Sequence, residues 1–263
     1  MIKLLNGELY EDEALIKKMY DDSFYYGHLG KYALSSSALK DLLKSPKMYQ
    51  KSLHTSKKSQ ALRDGSLIHL HMLEKDKLND LTIVDGSKAT KAFKEAVSER
   101  GEHMVYTKSE VDNAYWIAKA ALECNDVYNL LDGCEFEKPG AKMISDLPFR
   151  AKADAIKGKT IIDLKTTSAQ GGAGDAVGKF HWTAKNFSYD LQAALYMHIF
   201  NADKFIFLVV DKDSRDIGIF ECSEGFIENG KQKVRDAIDN YKHFFVDTDP
   251  LESVRNHVTY GEL

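Results

Sequence analysis

Two aspartates and a lysine near the middle of the chain have residue types and spacing that suit metal-assisted chemistry. Eight residues separate Asp154 from Asp163, and Lys165 follows two positions later. Side chains alternate faces along a β-strand, so Asp163 and Lys165 would project from one face, about 6–7 Å apart. The turn residues at 157–159 (Lys-Gly-Lys) would bring Asp154 beside Asp163.

Two converging carboxylates can hold a hard cation such as Mg²⁺, which prefers oxygen ligands. A lysine on the same face can orient a water molecule and offset charge on a phosphoryl group, as metal-assisted phosphodiester hydrolysis requires. On spacing alone, a surface hairpin with an ordinary Asp–Lys ion pair is the simpler interpretation, because exposed pairs of this kind are common. The surrounding segments must decide between the two.

The N-terminal half of the chain has the apolar spacing and capping residues of helices. Ser45-Pro46 ends one helix and begins another, and Gly101 is a suitable C-terminal stop. Gly65 would let a second element approach its helix closely. The helices predicted in this half cover 34–43, 59–74, 88–100 and 108–123.

From about residue 134 the apolar pattern changes to that of short strands separated by turn residues. The predicted strands cover 134–137, 141–145, 148–156, 160–165, 204–210 and 216–221. The Gly-, Ala- and Ser-rich segment 168–180 predicts a mobile loop. Helices are predicted at 189–200, where apolar residues on all sides indicate burial, and at 223–245.

This order of elements predicts an α/β or α+β fold with a mixed central β-sheet flanked by helices. We expect a single domain over 1–263, with a mainly helical part at 1–130 and the sheet core with the terminal helix at 131–263.

Composition narrows the class of protein further. The three cysteines lie far apart, which argues against a disulfide framework, a zinc site or an iron–sulfur cluster and favours a reducing, cytoplasmic location. The N-terminal stretch has no apolar core, so we expect no signal peptide, and no run is long enough for a membrane span. The net charge of −4 means that any site for a polyanion must be local.

The segment KADAIKGKTIIDLKTT resembles the PD-(D/E)-x-K nuclease superfamily, and more narrowly the RecE-like (exonuclease VIII) nuclease domains of phages and prophages. Further segments agree with that family in the same order. They are the serine-rich helix with its Ser-Pro at 33–46, the Gly-x-x-x-His helix at 65–74, Glu137, and the Gln-x-x-x-Tyr helix at 189–196. The resemblance spans roughly residues 33–200 and implies a restriction-endonuclease-like core.

The resemblance implies a set of metal ligands around Mg²⁺, for which Mn²⁺ could substitute. Asp154 and Asp163 would bind the metal together with His69 and the backbone carbonyl of Leu164, and Lys165 would polarise the attacking water. Glu137 would be a further site carboxylate. Glu135 has the same strand parity, however, and the sequence leaves the choice between the two open.

Gln192 and Tyr196 are one helical turn apart and therefore share a face. Either they border the active site, contacting DNA or Lys165, or Tyr196 is a core residue with Gln192 as its hydrogen-bond partner. His71 lies about 200° around its helix from His69, and we predict that it is a surface residue.

A set of polar residues near the predicted metal site could contact DNA. Arg150 and Lys152 share strand parity with Asp154, which would place them along a phosphate path, although a solvated basic face is the alternative. Thr166 and Thr167 could donate hydrogen bonds to a phosphate.

The family resemblance implies an exonuclease that digests linear double-stranded DNA in the 5′→3′ direction and leaves a 3′ single strand for an annealing protein. It also implies a homo-oligomeric ring around DNA, whose channel could concentrate basic residues. Two alternatives stay open. One is an endonuclease or single-strand repair nuclease of the same superfamily, and the other is a non-catalytic DNA- or partner-binding module.

Overall fold

The computed structural model describes residues 1–55, 59–169 and 175–258, and its centre is a five-stranded mixed β-sheet. Strands along the described chain are β1 (Ile2–Lys3), β2 (Leu9–Tyr10), β3 (Thr82–Val84), β4 (Val105–Thr107), β5 (Glu135–Ile144), β6 (Leu147–Lys157), β7 (Thr160–Thr167), β8 (Lys204–Asp211) and β9 (Ile217–Glu221).

Helices surround this sheet and fill most of the N-terminal half. They are α1 (Asp12–Lys18), α2 (Leu29–Tyr32), α3 (Ser36–Lys44), α4 (Pro46–Ser52), α5 (Gln60–Leu73), α6 (Lys91–Arg100), α7 (Lys108–Leu122), α8 (Asn125–Leu131), α9 (Phe180–Asn186), α10 (Tyr189–Phe200), α11 (Glu224–Phe245) and α12 (Pro250–Arg255). One π-helical segment (Ser23–His28) and two 3₁₀ segments (Lys75–Asp80 and Glu102–Met104) connect them. Across the described residues, no helix joins the length and the apolarity that crossing a membrane would require.

The central sheet has the strand order β5-β6-β7-β8-β9, with parallel pairing between β7 and β8 and antiparallel pairing elsewhere. The parallel pair requires a crossover connection, and α9 and α10 lie in it. Strand β8 is buried along its apolar run from Phe205 to Val210, because helices cover both faces of the sheet there. The predicted α+β fold with a mixed central sheet is therefore confirmed.

Two packed clusters cover the two faces of the sheet. On one face, α5, α7 and α8 pack over alternate strand residues, which include Ile162, Leu164 and Leu208. On the opposite face, α9, α10 and α11 pack over Ile161, Phe205 and Phe207. The alternation of side chains along β7 thus sends Leu164 to one cluster and leaves Asp163 and Lys165 on the other face.

Side-chain caps begin several of the helices in the N-terminal half. The hydroxyl oxygens of Ser35, Ser45, Ser59 and Thr90 each accept a hydrogen bond from a backbone N–H in the first turn of α3, α4, α5 and α6. Gly101 ends α6 with a φ of 84°, a conformation that favours glycine.

Strand β5 is continuous where the sequence predicted two strands, at 134–137 and 141–145. Pro139 and Gly140 break the apolar pattern there, yet β5 is an edge strand, where a proline without an N–H is tolerated. Gly140 is needed for packing, since a Cβ atom at this position would lie 2.7 Å from the ring of Phe200.

The prediction that His71 lies on the surface is wrong. Its exposure is only 9%, because α7 packs on the side of α5 opposite His69 and the ring of Tyr115 lies 5.8 Å from that of His71. A helix buried on two sides presents no free face for a polar residue at this position. The predicted loop at 168–180 lies partly outside the described residues, at 170–174, and α9 begins at Phe180, its last position.

The first 32 residues, which were expected only to belong to a mainly helical part, pack over β5 and β6. Leu15, Met19, Tyr25 and Leu29 form a separate buried cluster that also contacts Ala141 and Met143. Two small sheets, β1–β2 and β3–β4, interrupt the mainly helical N-terminal half.

We predict that Gly230→Ala destabilises the protein through the close packing of α11 against α10. An added Cβ would lie 2.0 Å from the carbonyl oxygen of Asp190, a backbone atom that cannot move independently. Urea unfolding should show a loss of about 1–3 kcal/mol, which is typical of overpacking.

Gly225→Ala is the matched control on the same helix, because a Cβ there meets no atom within 4 Å. Its free energy of unfolding should be unchanged or higher by up to about 1 kcal/mol, since alanine has the better helix propensity. Equal stability of the two variants would contradict the packing argument.

A second prediction concerns Glu110, which anchors α5 to the start of α7. Its carboxylate pairs with Arg63 of α5 at 3.2 Å and completes a capping box with Thr107. Burial opposes ionisation, but the bonds from Arg63, Lys88 and Thr107 outweigh it and hold the pKa of Glu110 well below its usual range. The folded state thus binds fewer protons here than the unfolded state, and this stabilisation is lost as pH falls below about 4.5.

Stability measured by urea unfolding between pH 6 and 3 should therefore fall less steeply in Glu110→Gln than in the wild type. The variant should also be less stable at pH 6, because the amide cannot replace the charge-assisted bonds. If the stability of the variant fell with pH as steeply as that of the wild type, Glu110 would be excluded as a source of the acid sensitivity.

Candidate active site

The candidate site begins where β6 and β7 separate. Their ladder runs from Lys157–Thr160 to Ala155–Ile162 and stops there, so Asp154 and Asp163 face each other one position beyond the last paired residues. In place of a ladder bond, the backbone N–H of Leu164 donates to Asp154 Oδ2 at 2.8 Å. The hairpin and turn predicted from the sequence are present, and the two carboxylates meet at its open end.

Asp163 is almost fully buried and held from two sides. Gln192 Nε2 of α10 donates to Asp163 Oδ1 at 2.6 Å, and Lys165 forms an ion pair with Oδ2. Burial, with the nearby negative charge of Asp154, raises the pKa of Asp163 to about 6, although Lys165 acts in the opposite direction.

Lys165 occupies a pocket of carboxylates and aromatic rings. Its Nζ lies 4.9 Å from the ring centroid of Tyr189 and 5.8 Å from that of Phe207. Burial favours the neutral amine, but the charges of Asp163 and Asp154 prevail and raise the pKa of Lys165. The lysine is therefore a permanent cation beside the two aspartates.

His69 brings α5 to the same site. Its Nε2 lies 3.2 Å from Glu137 Oε1 and 3.6 Å from Asp154 Oδ1, and its Nδ1 lies 3.7 Å from Glu74 Oε2. Burial opposes protonation, but the bonds to Asp154 and Glu137 raise the pKa of His69 to about 10. The carboxylates around the His69 ring therefore favour positive charge at this position.

Gly65 makes this approach of α5 to the sheet possible. A Cβ at that position would lie 3.1 Å from Thr166 Oγ1 of β7, which is tighter than most Cβ contacts, so a larger residue would require Thr166 or α5 to shift. The close approach predicted for Gly65 is therefore present, and it delivers His69 one helical turn further along α5.

The structure distinguishes the two glutamates that the sequence left open. The Glu137 side chain is 17% exposed and lies against His69, whereas Glu135 is 67% exposed and pairs with Lys138. Glu137 has a φ of 50°, which is unusual for a residue with a side chain. Burial raises the pKa of Glu137 although His69 lowers it.

The donor atoms at the site fit a divalent cation such as Mg²⁺ or Mn²⁺. Asp163 Oδ2 and Glu137 Oε1 are buried carboxylate oxygens whose described partners are the cationic groups of Lys165 and His69, so both oxygens already lie where positive charge is favoured. Carboxylate oxygens with one imidazole nitrogen suit these ions. His69, Glu74 and Glu137 also lie close enough together to share an ion.

Two site residues were missed by sequence reasoning. Glu74 follows the Gly-x-x-x-His helix five residues after His69, so its place in that segment was a usable signal. Lys40 of α3 donates to Gln192 Oε1 at 3.2 Å, a contact between residues 152 positions apart that spacing could not indicate.

Gln192 and Tyr196 share the face of α10 that borders the site. The described partners of Gln192 are Asp163 and Lys40. Tyr196 is half-buried beside Phe200 and Phe205. Burial raises the pKa of its phenol well above 10.

The four residues predicted to contact DNA lie around the site in different settings. Lys152 is 7% exposed and pairs with Asp22 at 2.6 Å, and the Arg150 guanidinium stacks 4.5 Å from the ring centroid of Tyr25. The N-terminal segment therefore covers both cations. Thr166 and Thr167 are half-buried at the end of β7, and their role in DNA binding stays a prediction.

A mixed sheet with an Asp–Asp–Lys hairpin, flanked by helices that supply a histidine and a glutamine, defines a PD-(D/E)-x-K nuclease domain. The PDDEXK-like domain of unknown function DUF3799 matches residues 35–250, and the chain belongs to that family. The predicted membership of the PD-(D/E)-x-K superfamily is confirmed by this match. No curated protein matches the chain.

One of the solved structures to which the chain is similar supports the fold. A protein from Eubacterium rectale described as a candidate exonuclease superposes with a TM-score of 0.61 at 16% identity, covering 92% of this chain and 95% of that one. An alkaline exonuclease from Laribacter hongkongensis has a TM-score of 0.40 at 12% identity, with 84% and 93% covered. A phage-related exonuclease from Haemophilus somnus 129PT has a TM-score of 0.35 at 15% identity, with 64% and 92% covered.

Glu137→Gln and Glu135→Gln form a matched pair of variants on one strand. We predict that Glu137→Gln weakens Mn²⁺ binding by about 10–100-fold, the range typical when a group around a metal is lost. Glu135→Gln should bind as the wild type does, because its side chain is exposed and pairs with Lys138. Isothermal titration calorimetry with Mn²⁺ measures both, and equal affinities would show that Glu137 takes no part.

Proposed function

We propose that this protein is a Mg²⁺-dependent exonuclease that hydrolyses linear double-stranded DNA in the 5′→3′ direction. The single observation that carries the proposal is the convergence of Asp154, Asp163, Lys165 and His69 at the open end of the β6–β7 hairpin. The family and the fold support a DNA hydrolase. The direction and the preference for duplex ends rest on the RecE-like resemblance.

We further propose that Asp154, Asp163, His69 and the carbonyl of Leu164 hold the metal. When bound, the ion supplies a Lewis acid that neutralises phosphate charge and lowers the pKa of a coordinated water. Glu137 adds a carboxylate beside His69, within reach of the same ion or of water on it.

Lys165 has the chemistry to orient the attacking water and to stabilise charge on the phosphoryl oxygens. Its position between Asp163 and the ring of Tyr189 limits the directions in which its ammonium can point. Hydrolysis forms a bond from the water oxygen to phosphorus and breaks a phosphorus–oxygen ester bond. The charge that develops on phosphorus-bound oxygen meets a cation already in place, which is the most effective form of electrostatic catalysis.

The whole of residues 1–263 acts as one nuclease domain in this proposal, since α3 and α5 of the helical part supply residues to the sheet-borne site. A homo-oligomeric ring around DNA would reconcile the net charge of −4 with a polyanionic substrate. Thr166 and Thr167 are the proposed DNA contacts, whereas Asp22 and Tyr25 of the N-terminal segment cover Lys152 and Arg150 and leave them poorly placed for this role. The 3′ single strand would pass to an annealing protein.

The first test compares linear with closed-circular duplex DNA in the presence of Mg²⁺. The wild type should degrade the linear form and leave the sealed circle intact. Asp163→Asn and Lys165→Met should each lower the rate on the order of 100- to 1,000-fold, because each removes a charge from the reacting centre.

Asp203→Asn is the control variant, since Asp203 is an exposed carboxylate that pairs with Lys159 on the same sheet. It should retain full activity. Cleavage of the sealed circle would instead indicate an endonuclease, and full activity in Asp163→Asn would refute the site. Absence of any hydrolysis by the wild type would favour a non-catalytic DNA- or partner-binding module.

The direction of digestion is tested with duplexes labelled at the 5′ or the 3′ end, with and without a 5′ phosphate. Early release of the 5′ label is the expected result. Early release of the 3′ label would reverse the proposed polarity without affecting the assignment of the site.

A further inference from the structure

Lys40 is a cation that reaches the site from a helix with no other charged residue at the reacting centre. It lies on α3, and its Nζ donates to Gln192 Oε1 at 3.2 Å. The same ammonium lies 4.9 Å from the ring centroid of Tyr189, which is also the distance of Lys165 Nζ from that ring. Two lysines from different elements therefore flank one aromatic side chain beside Asp163.

Gln192 connects Lys40 to Asp163 in one direction only. An amide oxygen can only accept a hydrogen bond and an amide NH₂ group can only donate. A lysine ammonium has no acceptor and an ionised carboxylate has no donor. With Lys40 on one side and Asp163 on the other, at 3.2 Å and 2.6 Å, one orientation of the amide satisfies both neighbours.

A purely structural lysine would be a poor choice at this position. Within the described residues, the partners of its ammonium are an amide oxygen and an aromatic ring, neither of which carries a formal charge. Burial, reinforced by repulsion from Lys165, lowers the pKa of Lys40 to about 7. A half-buried cation whose contacts are uncharged costs stability, and an apolar side chain of similar size would reduce that cost.

We propose that Lys40 is a positioning residue of the nuclease site, which fixes the Asp163 carboxylate by locking the orientation of the Gln192 amide. This inference rests on the proposed function for its effect on catalysis. Its structural part concerns the amide alone and can be tested without DNA or metal. Lys40 itself acts through Gln192 and is distinct from Lys165, which pairs with Asp163 directly.

Without Lys40, the Gln192 amide is held by Asp163 alone, so it loses its second anchor and can rotate away from the geometry in which its NH₂ group donates to Asp163 Oδ1. Asp163 then loses the restraint on Oδ1 that holds it relative to Lys165 on Oδ2. The expected effect falls on the turnover number rather than on KM, because the reacting groups are misaligned after the substrate has bound.

The test uses Lys40→Met, Lys40→Arg, Gln192→Leu and the Lys40→Met/Gln192→Leu double variant in the full chain. Lys44→Met is the matched control, since Lys44 is an exposed lysine one turn further along α3. Exonuclease turnover on linear duplex DNA is measured for all five, with KM and the thermal midpoint of each.

Lys40→Met should lower kcat about 10–100-fold, as the loss of a supporting hydrogen bond typically does. Lys40→Arg should recover part of that loss. Lys44→Met should keep the activity of the wild type. The double variant should be no slower than Gln192→Leu alone, because both changes break the same connection. Losses that multiply in the double variant would show that Lys40 acts by another route and would overturn the proposal.

A second readout is hydrogen exchange of the Gln192 side-chain NH₂ group, which is followed by NMR in the metal-free protein. Its signal is identified because it is absent from the spectrum of Gln192→Leu. Exchange should be slow in the wild type, in Lys40→Arg and in Lys44→Met, and at least about 10-fold faster in Lys40→Met, as expected for a lost buried hydrogen bond. Unchanged exchange in Lys40→Met would overturn the proposal even if activity fell.

The same measurement separates the two proposals. The wild type could show no hydrolysis while its Gln192 amide is protected from exchange and this protection depends on Lys40. That result would refute the proposed function and leave the positioning contact in place. An active wild type whose amide exchanges equally fast in every Lys40 variant would refute the inference alone.

Discussion

Two carboxylates brought together in a poorly hydrated interior need nearby positive charge, and the arrangement of this protein around Asp154 and Asp163 follows from that need. Removal from water makes an isolated carboxylate costly, and a second one nearby adds repulsion. His69 offsets the charge of Asp154 from one helix, and Lys165 offsets that of Asp163 from the same strand. The opposite directions of the two aspartate pKa shifts, down for Asp154 and up for Asp163, reflect these unequal surroundings.

The sheet topology makes the meeting of these groups possible. The antiparallel β6–β7 ladder ends at Ala155–Ile162, while the parallel β7–β8 ladder continues to Thr167 and holds β7 in the sheet beyond the site. The crossover between β7 and β8 contains α10, so Gln192 arrives on the face that carries Asp163. On the opposite side, the small size of Gly65 lets α5 approach until its histidine meets the open end of the hairpin.

Sequence reasoning could predict the parts of this site that depend on local periodicity. The alternation of Asp163, Leu164 and Lys165, the turn at Gly158 and the serine caps are properties of a few adjacent residues, and the structure contains all of them. Whether His71 is buried depends on whether α7 covers the far side of α5, which no local sequence pattern indicates. The hydrogen bond from Lys40 to Gln192 depends on helix packing in the same way. Glu137 and Glu135 have the same strand parity, and the positive φ of Glu137 is a backbone feature that parity could not predict.

The segment that covers β5 and β6 lies outside the part of the chain that the family shares. The family match begins at residue 35, whereas Asp22 and Tyr25, which neutralise and shield Lys152 and Arg150, precede it. The charges beside the candidate metal site are therefore set partly by residues that precede the family match. A relative with a different segment here would expose Arg150 and Lys152 beside the same candidate site. Its preference among substrates could then change although the residues of the site stayed the same.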